Sequence, residues 1–383
     1  MPLGVQYSGK WTLQSQAQAT AAGNWPSPPL PTGALWAWGY NGFGGLGIGT
    51  SGGTSHKSSP TQVGSLLTWA SITAASSHTA AIKTDGTLWT WGAGSQGQLG
   101  LGNQINYSSP KQVGVLTTWL TVSGNYGFCL ATKTDGTLWS WGLNDNGQLG
   151  LGNRTNYSSP KQVGSLTNWL SIVGGGYYSL AIKTDGTLWS WGKNYQGALG
   201  LGNLNNYSSP KQVGALTNWS KLIRAPYASM AIKTDGTLWA WGYNAQGQLG
   251  LGNTTSYSSP KQIGLLTTWS TASMGSFFTA AIKTDGTLWT WGSNGSGELG
   301  LGNLTYYSSP KQVGSLLTWS KVATGDAWVI ATTTTGYLWS WGSNSFGQLG
   351  LNNLTIYSSP KQVGSRISWK LISTSSNDAL AIT

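Results

Sequence analysis

Thr84-Asp85-Gly86-Thr87-Leu88-Trp89-Thr90-Trp91-Gly92 decides the fold of this chain. The same T-D-G-T-L-W-x-W-G pattern starts again at Thr134, Thr184, Thr234 and Thr284, each fifty residues after the last. Thr334-Thr-Gly-Tyr-Leu-Trp is a sixth copy with two changes, and Thr32-Gly-Ala-Leu-Trp-Ala-Trp-Gly is a seventh without the Asp. Asp-Gly is a tight-turn pair, because glycine accepts positive φ at no steric cost. The Leu and two Trp behind it alternate with the period of a strand. Each copy therefore predicts the turn and outgoing strand of a β-hairpin whose incoming strand is Ala80-Ala-Ile-Lys83 or its equivalent. A fixed period near fifty with this content predicts a propeller or a solenoid.

Four strands per repeat follow from the second unit: a near Trp69–Ala74, b at Thr79–Lys83, c at Thr87–Gly92 and d near Lys111–Gly114. The long c–d connection, with Gly-Gln-Leu-Gly-Leu-Gly and Tyr-Ser-Ser-Pro, is read as a loop. It lacks the Lys-Ser/Thr and following helix of a phosphate cradle, so turn glycines explain it better. The array starts with a c strand at Thr32 and stops at Asp378-Ala-Leu-Ala-Ile-Thr383, where a turn should begin. These halves complement each other, so the termini are expected to share one blade. That closes a ring of seven four-stranded blades and removes its exposed edges. The expectation is an all-β seven-bladed propeller over residues 32–383 with a short N-terminal extension, 1–31.

Composition agrees. Of 24 Trp, 21 occupy three template positions, typified by Trp36, Trp38 and Trp69; Trp11, Trp25 and Trp328 are left over. Residues tied to the template are read as packing between blades, in preference to a sugar-stacking ladder, and removing one should cost about 3–5 kcal/mol. The net charge is +11, but the lysines also follow the template, before the turn (Lys83 and its copies) and after Ser-Ser-Pro (Lys111 and its copies). A dispersed ring is not a basic patch, so no nucleic-acid partner is expected. The one cysteine, Cys129, excludes an internal disulfide framework. Neither a signal peptide nor a membrane span is read anywhere, so folding in a cytoplasm without membrane insertion is expected.

The chemistry of catalysis is thin. His56 and His78 are the only histidines, too few for a zinc site without Cys or acidic partners close in sequence. Asp85 and its copies are turn residues. Asp326 and Asp378, in neighbouring a–b connections, are the one carboxylate pair weighed for glycosidase work, and are set aside. No enzyme, metal or cofactor is expected.

Comparison among the copies is more informative. The b–c turns barely change, whereas the a–b connections and the starts of the c–d connections do, and both lie on one face of an antiparallel blade. That face carries Tyr40, Phe43, His78, Tyr126, Phe128, Tyr177, Tyr178, Tyr195, Tyr227, Tyr243, Phe277, Phe278, Trp328 and Phe346. Large apolar residues in surface connections are costly unless covered, and aromatics are enriched at binding hot spots. The fourteen are therefore the candidate ligand-binding face, centred near Tyr177, Tyr178, Tyr227, Phe277, Phe278 and Trp328. Some could instead point into the central channel and pack there. Lys83 and Lys183, on the other face, are the expected controls, where Ala should change binding little.

Trp-Gly-x-Asn-x-x-Gly-Gln-Leu-Gly-Leu-Gly with Ser-Pro-x-x-Val and Ala-Ile-Lys-Thr-Asp-Gly resembles the regulator of chromosome condensation repeat, over residues 32–383. The resemblance implies a seven-bladed propeller, often closed by a shared blade. It leaves function open because the fold hosts unrelated roles. An exchange-factor-like regulator is the least favoured reading, since this chain lacks the basic tail and the inserted wedge. Residues 1–31 contain Gly9-Lys-Trp-Thr-Leu-Gln and Ala21-Ala-Gly-Asn-Trp-Pro, a short uncharged stretch Gln14–Ala22 that could form a helix, and a stiff connector with Pro26, Pro28, Pro29 and Pro31. This run is similar to N-termini of tailed-bacteriophage virion proteins, which implies an anchor through Trp11, Leu13 and Trp25. The expectation is thus a non-enzymatic virion protein, in the tail, a fibre or a capsid decoration. The anchor would hold other virion proteins and offers a route to homo-oligomers; the propeller would meet a host-surface glycan or protein. The alternative is a soluble, extracellular bacterial adhesin or inhibitor.

Overall fold

The computed structural model describes residues 33–223, 225–365 and 368–383. The anchor residues Trp11, Leu13 and Trp25 lie outside them. Among the described residues, twenty-eight strands form seven antiparallel sheets of four. Six blades are continuous in sequence. The first of them, blade 2 here, has strand a at Trp69–Ala74, b at His78–Lys83, c at Leu88–Gly92 and d at Tyr107–Gln112. Blades 3 to 7 repeat it at intervals of fifty. Blade 1 is composite: Leu371–Thr374 and Asp378–Ile382 from the end of the chain pair with Leu35–Gly39 and Lys57–Gln62 from its start. The joint is in register, from Leu35 opposite Ile382 to Gly39 opposite Asp378, and Gly33 N–H donates to the Thr383 carbonyl at 2.5 Å. The expected shared blade is present.

One boundary differs from expectation. Strand d begins at Tyr107, so Tyr-Ser-Ser-Pro belongs to the strand and not to the preceding loop. Proline is tolerated there because d is the edge strand, where a missing N–H breaks no central ladder. A shift of register between Thr90 and Gly92 marks the bulge that admits it.

Tryptophan fastens each blade to the one before it. Trp91 is fully buried, and its Nε1 donates to the Gly45 carbonyl of blade 1 at 2.9 Å. Trp141, Trp191, Trp241, Trp291 and Trp341 do the same to Gln98, Gln148, Ala198, Gln248 and Glu298, each at 2.9 Å. Trp38 closes the ring on Gln348 at 2.8 Å. A buried indole is best satisfied when its N–H has a partner, and for these seven the partner is the neighbouring blade. The glycine of Gln-Leu-Gly follows from this contact. At Gly150, with φ of +75°, a Cβ would sit 2.7 Å from Trp191 Nε1.

The template lysines are also packed. Lys83 Nζ lies 3.6 Å from the Trp89 ring centroid and 5.3 Å from that of Trp69, and the residue is 9% exposed. Its copies at 133, 183, 233 and 283 hold the corresponding rings at 3.7 Å. Burial pushes the Lys83 ammonium below its usual range while Asp85 pulls it back up. Lys111 and its five copies sit 5.2–5.6 Å from the Tyr107-type rings. Lys83 and Lys183, the expected binding controls, are packed rather than solvated: each is a cation against two indoles. The turn aspartates behave as read. Asp85 Oδ1 accepts from Thr87 N at 2.9 Å and from Thr87 Oγ1 at 2.7 Å, and Thr87 Oγ1 accepts from Trp89 Nε1 at 2.9 Å. In blade 7 lysine and aspartate are lost together, and Thr333 and Thr335 bond to each other instead.

Candidate ligand-binding face

The fourteen candidate residues separate into three groups. His78, Phe128, Tyr178, Phe278 and Trp328 head their b strands and are at most 3% exposed. The Tyr178 hydroxyl donates to the carbonyls of Ala225 and Ala228 in the next blade. Trp328 Nε1 donates to the Ser376 carbonyl at 2.7 Å. His78 Nε2 lies 3.1 Å from Cys129 Sγ, whose thiol burial holds well above its usual range. These five are wedges between blades. A buried ring cannot touch a partner, so they leave the proposed contact surface, and with them half of its expected centre. Tyr177 and Phe277, each just before a wedge, are half-buried and exposed respectively, as alternation along a strand requires.

The second group is exposed or half-buried and spans blades 3 to 6. Tyr126 stacks on Tyr177 with centroids 5.6 Å apart and planes at 17°. Tyr227 stacks on Phe277 at 5.6 Å and 11°. Tyr243 packs against Phe277 at 6.1 Å and against Tyr195 at 5.9 Å. Tyr195 is 46% exposed and Phe277 38%. A pocket of about 110 Å³ opens between blades 4 and 5, bounded by Tyr177, Lys193, Tyr195, Pro226 and Tyr227 together with the buried Tyr178 and Ala198. Lys193 Nζ lies 5.4 Å from the Tyr177 ring centroid and 5.9 Å from that of Tyr195.

The third group sits at the seam of blades 7 and 1. Tyr40 meets Phe346 at 5.1 Å and Phe43 at 6.5 Å. His56, which the sequence offered only as a lone histidine, joins it at 4.9 Å from Tyr40 and 5.4 Å from Phe346. Its Nδ1 accepts from Asn41 N at 2.9 Å, and burial lowers its pKa. Lys193 was the other missed member; its signal was a cation where the other copies have Tyr, Ala, Leu or Ser.

The central channel holds about 440 Å³, lined by strand a residues of all seven blades and by the a–b connections of five of them. Tyr126 stands at its edge. Burial, then the nearby Asp326 carboxylate, pushes its phenol well above the usual range. Asp326 accepts from Ser276 Oγ at 2.8 Å. Among the described residues no three His, Cys, Asp or Glu side chains converge as a metal site would require.

The seven blades form a ring pinned by indole N–H groups, with most of the copy-to-copy variation in aromatics on the a–b/c–d surface. The RCC1-like domain model matches residues 6–275, and the regulator of chromosome condensation repeat matches 285–331 and 335–381. The chain belongs to the RCC1-like family. The match begins inside the 31-residue segment set apart above. Among solved structures, human WBSCR16 superposes with a TM-score of 0.82 at 22% identity, covering 91% of this chain and 99% of that one. Prp20p from Saccharomyces cerevisiae, studied for its binding to Gsp1p and histones, gives 0.80 at 18% identity, covering 92% and 91%. At these identities the likeness is one of fold.

Proposed function

We propose that this chain is a non-catalytic binding propeller whose aromatic arc, from Tyr126 and Tyr177 through Tyr195, Tyr227 and Tyr243 to Phe277, receives a host-surface glycan or protein. One observation carries the reading: six partly exposed aromatic rings, two pairs of them stacked and the others packed edge-on or tilted, cross four adjacent blades on the face where the internal copies diverge. Rings of this kind bury large area at small entropic cost and dominate binding energies. The placement in a bacteriophage virion is carried by the resemblance of residues 1–31 to virion anchors. In that arrangement the propeller is the displayed part and the N-terminal segment the attached one.

The test is Tyr177→Ala, Tyr227→Ala and Phe277→Ala combined in the full chain, with binding of labelled protein measured on a panel of bacterial cells. We expect a parent-like fold and binding weakened at least thirtyfold, about 2 kcal/mol or more for one hot-spot ring. Parent-like binding by the triple variant refutes the face. Deleting residues 1–31 tests the virion placement separately: particle incorporation that survives the deletion favours the soluble adhesin or inhibitor instead.

A further inference from the structure

We propose that the pocket between blades 4 and 5 takes the terminal residue of an acidic glycan, a single pyranose ring bearing a carboxylate. The inference rests on the binding reading of the aromatic face and narrows it to a ligand class. Three observations lead to it.

The first is size. The pocket holds about 110 Å³. A cavity of about 150 Å³ accommodates one benzene-sized ring. One six-membered ring therefore enters with an edge left outside, and a branched or extended chain does not. That selects a terminal residue, with the rest of the glycan running out over the arc.

The second is the wall. Tyr177, Tyr195 and Tyr227 line the pocket with aromatic rings, and Pro226 adds a fourth apolar side. A pyranose has apolar C–H faces that pack on aromatic rings and a rim of hydroxyls. Tyrosine matches both, with an apolar body and a polar tip. Tyr177 is held by its stack on Tyr126, and Tyr227 by its stack on Phe277. Two walls are thus positioned before any ligand arrives, which lowers the ordering cost of binding.

The third is charge. Position 193 opens the c–d connection, where the other copies carry Tyr40, Ala93, Leu143, Tyr243, Ser293 and Ser343. Only this copy places a cation there. The Lys193 ammonium rests near two rings of the same pocket and, among the described residues, no carboxylate pairs with it. A pocket with one unpaired cation beside apolar walls selects one anionic group on an otherwise uncharged ring. A carboxylate on Lys193 forms a charge-assisted bond of the stronger class.

The experiment titrates the full chain with methyl β-glucuronide, the methyl glycoside of N-acetylneuraminate and, as neutral control, methyl β-glucoside, observed by saturation-transfer NMR and calorimetry. We expect at least one acidic glycoside to bind about tenfold more tightly than the glucoside, the scale of one hydrogen bond to a charged group. Lys193→Gln should erase that difference, and added salt should shrink it. Tyr195→Ala, at an exposed ring, should weaken acidic and neutral sugars alike while the unfolding midpoint stays put. Equal affinity for acidic and neutral sugars, or an acid preference that survives Lys193→Gln, overturns the assignment. Tyr195-dependent binding of the neutral sugar alone overturns the charge argument and leaves the binding face standing. Absence of sugar binding, with cell binding still lost in the triple aromatic variant, overturns the glycan class in favour of a protein partner.

Discussion

Deleting Asp378–Thr383 should bring down the whole propeller rather than fray one end. The segment is a central strand, with Leu371–Thr374 on one side and Leu35–Gly39 on the other. Both neighbours lose their ladder when it goes. Leu380 is fully buried and Ile382 is 3% exposed. Burial of two such side chains is worth about 3–6 kcal/mol together, and each buried backbone group left without a partner adds about 1–3 kcal/mol. Domain stabilities are about 5–15 kcal/mol, so the deletion removes most or all of the margin. The assay is urea unfolding followed by tryptophan fluorescence and far-ultraviolet circular dichroism. We expect a chain already unfolded in water, or one cooperative transition at a much lower midpoint. A circular permutant separates the strand from the terminus. Joining Thr383 to Gly33 through Thr-Asp rebuilds the T-D-G turn, and new ends can be opened after Gly114. That protein keeps all seven blades and should fold. A deletion mutant that unfolds at the parent midpoint would refute the closure argument, because the ring would then be stable with blade 1 lacking its b strand.

Gly175→Ala should destabilise by about 1–3 kcal/mol through overpacking, since its Cβ would meet Tyr178 Cε1 at 2.2 Å; in a Tyr178→Ala background that increment should vanish, and an unchanged urea midpoint for the single variant would count against the wedge. Lys183→Met removes a cation from two indoles and should cost about 0.5–2 kcal/mol, read from the same titration, with parent stability as the refuting result. The carboxyls of Asp85, Asp135, Asp185, Asp235 and Asp285 are held below their usual range, chiefly by the threonine hydroxyl two residues on. A depressed folded-state value means stability present above the ordinary carboxylate range, about pH 4, and lost as pH falls through the folded value. Changing all five to Asn should flatten the acid limb of the melting temperature against pH, and an unaltered slope would show that these turns do not set it.

The fold was legible because its determinants are local and repeated. The Asp-Gly turn, the alternating Leu-Trp-x-Trp and the complementary ends each imply one arrangement, and seven copies make the implication redundant. Strand d was placed late because Ser-Ser-Pro reads as a breaker, and only the sheet shows that it lies on an edge. The lysines were misjudged for a related reason. Lys83 precedes a turn, where a cation is usually solvated, yet Trp89 across the hairpin supplies a ring face at 3.6 Å. Three of the six residues named as the centre of the site, Tyr177, Tyr227 and Phe277, stand at the surface, and three, Tyr178, Phe278 and Trp328, are core.

That division has a cause which the sequence contained. Divergence among the copies at the head of strand b suggested selection by a ligand, but packing accounts for it. Tyr178, Phe278 and Trp328 each follow a glycine three residues earlier, at 175, 275 and 325, and a Cβ at any of these would overlap the ring. Where the wedge is Ala228, position 225 is alanine, and where it is His78, position 75 is alanine. Phe128 follows Asn125 and takes its room from the next blade instead, where Gly174 would place a Cβ 3.3 Å from Phe128 Cζ. Size at the wedge is thus matched by space beside it, as a close-packed interior demands. The preceding position has no such partner rule. Tyr177 stacks on Tyr126, Tyr227 stacks on Phe277, and Phe277 packs on Tyr243, each across a blade boundary, and no fixed companion residue accompanies them within their own copies. Variation that is compensated locally is repacking of the core; the variation on the arc is not compensated in this way, and it is on that variation that the proposed binding face rests.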